Sequence, residues 1–118
     1  MKKLIKTISI LSLFALTSPN SFAQDKPENK VGDGIVVKIV NHEFKPSLIE
    51  VPANLSFKLI IENTDSTIEE FESDDLKKEK LIQAGKSITI PIKGLSSGEY
   101  KFYGDFHQKT AQGKIVVK

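Results

Sequence analysis

Short runs of β-branched or alternating residues, separated by turn signals, are the feature that most limits how this chain can fold. They cover residues 35–40, 47–51, 56–63, 86–92, 98–103 and 114–118. Apolar side chains at every second position suit half-buried strands, and six or seven such strands in one small domain predict an all-β Greek-key β-sandwich. Prolines on both sides of 47–51 place that strand at a sheet edge. Only 74–80 suits a short helical turn.

The first 23 residues have the pattern of a signal peptide. Lys2, Lys3 and Lys6 precede an apolar core at 8–16, and Ser-Phe-Ala at 21–23 forms a cleavage signal. The apolar core is shorter than the roughly 20 residues of a membrane-spanning helix, so we expect cleavage rather than a retained anchor. We therefore expect a signal peptide at 1–23, a flexible lead-in at 24–34 and one domain at 35–118.

Charge and cysteine content narrow the classes of function. All 17 basic residues are lysines, and loss of three with the signal leaves 14 against 15 acidic residues. The exported chain is thus nearly neutral, which gives no support for nucleic-acid binding. The chain has no cysteine, so it has neither a disulfide nor a lipoprotein attachment site. No nucleophile elbow, phosphate-binding glycine loop or His-Glu-x-x-His motif indicates a hydrolase or transferase.

An acidic segment is the first candidate for chemistry, with five acids in residues 69–75 around one aromatic. Such a run is often only a solvated loop, but closely packed carboxylates repel one another and a hard cation relieves that repulsion. In a strand, Glu70 and Glu72 would share one face, and Glu69 would share the other with Phe71. If Phe71 points into the core, the two faces can serve two separate metal ions.

A second candidate segment lies between the last two predicted strands. It has four aromatics in residues 100–106, followed by His107, one of only two histidines in the chain. A single loop histidine is often an ordinary surface residue. Loops between sandwich strands nevertheless carry function more often than the strands do.

The predicted mature chain resembles the cupredoxin-like family, beginning with Phe-x-Pro at 44–46 and Val-Pro-Ala at 51–53. Aligned on Tyr-x-Phe at 100–102, Gly104 stands where copper-binding members have a cysteine ligand, and Ala111 stands near their methionine. His107 keeps the histidine position, and Glu69 takes that of the upstream histidine. With one ligand of four retained, the resemblance implies a cupredoxin-type sandwich or barrel without type-1 copper electron transfer, which depends on a thiolate.

One subgroup matches more of the sequence: the periplasmic cupredoxin-like components of bacterial iron-uptake systems built around an oxidase-dependent iron permease. The shared motifs are Glu-Phe-Glu-Ser at 70–73, Leu-x-x-Glu-Lys at 76–80, Ala-Gly at 84–85 and Gly-Asp-Phe-His-x-x-Thr-Ala-x-Gly at 104–113. This resemblance implies a periplasmic protein that handles iron, copper or both. Its implied partners are an inner-membrane iron permease and a second periplasmic metal-binding protein.

The donor types agree with that implication, since carboxylates and one imidazole form a hard site that favours iron and still accepts copper(II). Such a site would assist oxidation of ferrous iron or only bind and deliver the metal. The candidate ligands are Glu69, Glu70, Glu72 and His107, with Glu79 and Asp105 as second choices that could instead orient a ligand. A copper-binding or resistance protein and a metal-free interaction module are the alternative functions.

The remaining notable residues are expected to have structural or surface roles. His42 and Glu43 are predicted to lie on the surface. Tyr103 and Phe106 are predicted to pack rather than react, although Tyr103 could gate electron flow. The core is expected to comprise the strand Ile, Val and Leu residues with Phe44, Phe57, Phe71, Tyr100 and Phe102.

Overall fold

The computed structural model describes residues 34–118. The predicted signal peptide and the lead-in up to Asp33 lie outside the described residues. Within 34–118, no helix is long and apolar enough to cross a bilayer.

The domain is a sandwich of two β-sheets, which confirms the predicted fold class. One sheet has the strand order β2-β1-β4-β7 and the other β3-β9-β8-β5-β6. Most neighbouring strands are antiparallel, but β1 pairs with β4 and β3 with β9 in parallel. The strands are β1 (Ile35–Val40), β2 (Glu43–Lys45), β3 (Leu48–Val51), β4 (Phe57–Asn63), β5 (Glu69–Ser73), β6 (Lys78–Ile82), β7 (Ser87–Ile92), β8 (Gly98–Gly104) and β9 (Gln112–Val117).

Alternation along the strands builds the core between the two sheets. In β4, Phe57, Leu59 and Ile61 are buried, while the residues between them are more exposed. Removing these apolar faces from water is the main force that holds the sheets together. Three rings pack edge-on or tilted at the centre, with centroids 5.0–6.3 Å apart, and they belong to Phe44, Phe71 and Phe102.

Most of the predicted core is confirmed, but Val36 and Leu48, two strand residues expected in the core, are 42% and 48% exposed. Tyr100 is only partly buried and packs against the edge of the core. Phe106 is 47% exposed, so the prediction that it packs is wrong. Its position in the short helical turn after β8 directs it away from the sandwich interior. The edge position predicted for 47–51 is confirmed, since β3 pairs only with β9 within the described sheets.

The predicted helical turn at 74–80 is wrong. Residues 74–77 form a turn, and residues 78–82 form β6, which pairs antiparallel with β5. Ladder hydrogen bonds to β5 therefore outweigh the weak helical preference of this lysine-rich run. The one helical turn in 34–118 is a 3₁₀ turn at Asp105–His107, directly after β8.

Candidate metal centre

Glu69 is the most buried ionisable side chain of the site, with 2% of its surface exposed. Its Oε1 accepts hydrogen bonds from the backbone N–H groups of Glu70 at 3.0 Å and Phe106 at 2.9 Å. Its Oε2 lies 2.5 Å from Nδ1 of His107. These contacts hold the carboxylate at one end of the sandwich and aim one oxygen at the imidazole.

Gly104 provides the space that this carboxylate occupies. A Cβ atom at position 104 would lie 2.7 Å from Cδ of Glu69 and 2.7 Å from Cβ of Ala111. The carboxyl group from β5 therefore fills the volume that a side chain at position 104 would need.

His107 is fixed by the loop that joins β8 to β9. Its carbonyl oxygen accepts hydrogen bonds from the N–H groups of Thr110 at 3.1 Å and Ala111 at 2.8 Å. The N–H of Gly104 in turn donates to the carbonyl of Ala111 at 2.9 Å and closes the loop. The ring is held on Glu69 with 28% of the side chain still accessible to solvent.

His42, which was predicted to lie on the surface and was not among the predicted ligands, lies beside this site with 40% of its side chain exposed. Its ring stacks on that of His107 with centroids 3.6 Å apart and an angle of 11° between the planes. His42 reaches this position from the turn between β1 and β2, whereas Glu43 is exposed as predicted. The Asn-His pair at 41–42 indicates a two-residue hairpin turn between two strand-like segments, since Asn favours such turns, but it does not indicate a contact with His107.

His42, Glu69 and His107 place one ligand atom each within 4.8 Å of one another. His42 lies in the turn between β1 and β2 of the four-stranded sheet, Glu69 lies on β5 of the five-stranded sheet, and His107 lies in the helical turn after β8. Two imidazoles and a carboxylate suit copper(II), iron or zinc, whereas copper(I) prefers thiolate or thioether sulfur. The donor set of this centre therefore fits a transition-metal ion of intermediate to hard character.

A second group of carboxylates lies on the outer face of β5 and β6. Glu70, Glu72 and Glu79 also place one ligand atom each within 4.8 Å of one another. The pKa of Glu70 is raised from 4.5 to about 7, first by its hydrogen bond with Glu79, then by burial and by the neighbouring negative charges. Burial, followed by the charge of Asp105, raises the pKa of Glu72. This group repels added negative charge and can offer only oxygen ligands.

Tyr103 and Asp105 border the acidic group without joining it. Tyr103 stands opposite Glu72 in the β5–β8 register. Its pKa is raised by burial and by the charges of Asp74, Glu72 and Asp105. Asp105 accepts a hydrogen bond from Nε2 of Gln108 at 2.8 Å. Tyr103 is thus half-buried beside carboxylates rather than packed in the apolar core.

Five of the six predicted ligands fall into two sets, and the division of Glu69 from Glu70 and Glu72 is the one that strand alternation implied. Phe71 points into the core, Glu69 points inward to join His107, and Glu70 and Glu72 point outward to join Glu79. Asp105 belongs to neither three-residue group. The predicted set lacked His42, which completes the first group.

Comparisons with known proteins agree with the fold and leave the site's function open. The family model of the cupredoxin-like domain matches residues 6–117. An uncharacterized protein of Rickettsia prowazekii is 41% identical over 120 residues, which cover 99% of this chain and 96% of that protein.

Solved structures of similar fold include cupredoxins of low sequence identity. A reduced amicyanin variant superposes with a TM-score of 0.59 at 16% identity, over 74% of this chain and 84% of amicyanin. A purple cupredoxin from Nitrosopumilus maritimus gives a TM-score of 0.56 at 19% identity, over 70% of this chain and 98% of that protein. Another amicyanin variant was solved in its Cu(I) form. At these identities the likeness extends to the fold alone.

Proposed function

This chain belongs to the cupredoxin-like family, and we propose that it binds a copper(II) or iron ion between His42, Glu69 and His107. The observation that carries the proposal is the convergence of these three side chains from separate elements of both sheets. Glu69 is paired with His107 and with two backbone N–H groups, so the carboxylate is held in place beside two stacked imidazoles. Together these side chains offer nitrogen and oxygen donors that a cation could bind.

The ligand types set this centre apart from a blue-copper site. The only methionine is Met1 and the chain has no cysteine, so the sulfur ligands that stabilise copper(I) are missing. Glu69 instead contributes a carboxylate with little access to water. Negative charge in such surroundings favours the more highly charged oxidation state of a neighbouring ion. A centre of this kind favours copper(II) over copper(I) and ferric over ferrous iron.

The chain's own residues perform three tasks in this scheme. Glu69 and the backbone groups that donate to it hold a fixed negative charge at the base of the site. The loop from Gly104 to Ala111 fixes His107, and the β1–β2 turn presents His42. These residues would hold an ion that could supply one-electron redox chemistry or be passed on as cargo.

We place this centre in a bacterial iron-uptake system, as an exported periplasmic component. The motifs at 70–73 and 104–113 support this placement, because they contain both the outward-facing glutamates and His107. The oxygen-only group of Glu70, Glu72 and Glu79 suits ferric iron. In this scheme the protein assists the oxidation of ferrous iron by an external electron acceptor, or delivers iron to an inner-membrane permease, together with a second periplasmic metal-binding protein.

Titration of metal-free protein with copper(II) tests the proposed centre. The protein is purified without a histidine tag, so His42 and His107 are the only imidazoles present. We expect nitrogen couplings from both imidazoles in the electron paramagnetic resonance of the copper complex. Each of His42→Ala and His107→Ala should remove one coupling and weaken binding, whereas Glu72→Gln on the outer face should preserve both. A copper spectrum without nitrogen couplings would show that the centre is assigned wrongly.

Ferric iron supplied as a weak chelate tests the second group. Glu72→Gln and Glu79→Gln should reduce the amount of ferric iron that the protein binds. His107→Ala should leave the iron bound by the acidic group unchanged. Equal iron binding by all variants would show that the group of Glu70, Glu72 and Glu79 does not bind ferric iron.

A further inference from the structure

The turn that carries His42 has an unfavourable backbone conformation. Asn41 and His42 connect β1 to β2 as a two-residue hairpin turn, with φ angles of 51° and 60°. Turns of this kind favour Asn followed by Gly, because glycine adopts positive φ without a steric penalty. Histidine at the second position is therefore a costly choice for the turn, and backbone strain of this kind is concentrated at functional sites.

Asp65, in the loop between β4 and β5, holds this turn in place through its carboxylate. Its Oδ1 accepts a hydrogen bond from the N–H of Asn41 at 2.8 Å, and its Oδ2 accepts one from the N–H of His42 at 2.9 Å. Oδ2 also lies 3.4 Å from Nδ1 of the His42 ring. One carboxylate thus contacts both the backbone and the ring of the same histidine.

The loop between β4 and β5 presents Asp65 in a fixed position. The N–H of Asp65 donates to Oδ1 of Asn63 at 3.1 Å, and Asn63 is itself buried. The Asn63 amide donates to the carbonyl oxygens of Thr67 at 2.8 Å and Ile82 at 3.1 Å. The same loop leads directly into Glu69. A single short segment therefore supplies a ligand and holds the turn that carries another.

We propose that Asp65 is a positioning residue that fixes the His42 ring against His107 in a geometry ready for metal. This inference rests on the proposed metal centre. The two imidazoles then differ in their carboxylate neighbours: Glu69 faces Nδ1 of His107 from within the proposed ligand group, and Asp65 faces Nδ1 of His42 from outside it. Carboxylates that orient a ligating histidine in this way contribute strongly to metal affinity.

The test compares Asp65→Ala and Asp65→Asn with Thr64→Ala. Thr64 lies in the same loop, and its hydroxyl donates to the carbonyl of Ile39 at 2.6 Å without contacting His42. Thr64→Ala therefore removes one contact of the loop but leaves the hydrogen bonds from Asn41 and His42 to Asp65. Asp65→Asn keeps one acceptor for the turn and provides a milder variant if the alanine variant does not fold.

The first readout uses metal-free protein and nuclear Overhauser contacts between the two imidazole rings. We expect these contacts in the wild type and in Thr64→Ala, and we expect them to weaken in Asp65→Asn and disappear in Asp65→Ala. The second readout is copper(II) affinity in competition with a chelator, which should fall by about 10- to 100-fold in Asp65→Ala. The copper spectrum of that variant should show one imidazole instead of two.

The outcomes separate this inference from the proposed function. If the ring contacts persist in the Asp65 variants, Asp65 does not position His42, whatever metal the protein binds. If the wild type binds no copper through imidazole but Asp65→Ala loses the ring contacts, the positioning role stands and the metal function fails. Equal loss of copper(II) affinity in Thr64→Ala and Asp65→Ala would mean that Asp65 only stabilises the loop, and this result would overturn the inference.

Discussion

The carboxyl group of Glu69 lies where a side chain at position 104 would have to go, since a Cβ on Gly104 would come within 2.7 Å of its Cδ. The two positions therefore constrain each other. A carboxylate reaching inward from β5 requires glycine at the end of β8, and a cysteine at 104 would displace that carboxylate. The inward position of Glu69 therefore depends on the absence of a side chain at position 104.

Gly104→Ala should therefore disrupt the centre and the packing beneath it. Overpacking of this kind costs about 1–3 kcal/mol in the free energy of unfolding, and copper(II) affinity should fall because Glu69 is pushed aside. Urea denaturation and copper titration measure the two effects. In a Glu69→Ala background the same substitution should cost less, since one of its two close contacts is gone. Additive free energies in this double-mutant cycle would contradict the proposed conflict.

Removal of the Glu69 carboxylate should be costly even without metal. Glu69→Ala leaves the N–H groups of Glu70 and Phe106 without their acceptor, and each such loss costs about 1–3 kcal/mol when the group stays away from water. Thermal or urea unfolding of metal-free protein measures the loss. Glu50→Ala is the control, because that carboxylate is 59% exposed and its removal should change stability by no more than about 0.5 kcal/mol.

The acidic group on the outer face should make the protein less stable as pH rises. The pKa of Glu70 is about 7 in the folded protein against an ordinary value of 4.5. Between these values the folded state binds more protons than the unfolded chain, so the free energy of unfolding falls as pH increases. Melting temperatures from pH 4.5 to pH 8 should show this decline in the wild type.

Glu70→Gln should flatten that decline, because the variant has no carboxyl group to titrate at this position. Glu62→Gln changes a carboxylate on the opposite sheet and should keep the wild-type slope. An unchanged slope in Glu70→Gln would indicate that the proton shared with Glu79 has no effect on folding.

The strain at His42 should appear in a comparison of two substitutions. His42→Gly and His42→Ala both remove the ring, but glycine adopts a φ of 60° freely and alanine does not. We expect the glycine variant to be more stable than the alanine variant by about 1 kcal/mol, with similarly weak copper binding in both. Equal melting temperatures for the two metal-free variants would remove the argument from backbone strain.

Sequence patterns predicted the parts of this molecule that depend on local alternation. The strands around Ile39, Leu59 and Ile90 follow from their apolar periodicity, and the opposite faces of Glu69 and Glu70 follow from the geometry of a strand. The family resemblance provided His107. β6 was missed because its exposed lysines have no apolar alternation, and its pairing with β5 decides its conformation.

His42 could not be predicted because its role depends on contacts between distant parts of the chain. The β1–β2 turn meets the loop before Glu69 only after the two sheets have packed. The hydrogen bond from the N–H of His42 to Asp65, which holds this turn, joins residues 23 positions apart in the sequence. No local sequence pattern around 41–42 indicates that the His42 ring stacks on the ring of His107. Sites assembled from both sheets of a sandwich are therefore harder to recognise in sequence than ligands on a single loop.

A metal ion held between the two sheets should stabilise the fold, because the unfolded chain does not bring these ligands together. At free copper(II) 100 times above the dissociation constant, the wild type should gain about 2.7 kcal/mol. If His42→Ala weakens binding tenfold, its gain at the same free copper should fall to about 1.4 kcal/mol. Calorimetry with buffered copper measures both gains, and Glu72→Gln should match the wild type. Equal stabilisation of the wild type and His42→Ala would mean that the ion does not link the four-stranded sheet to Glu69 and His107.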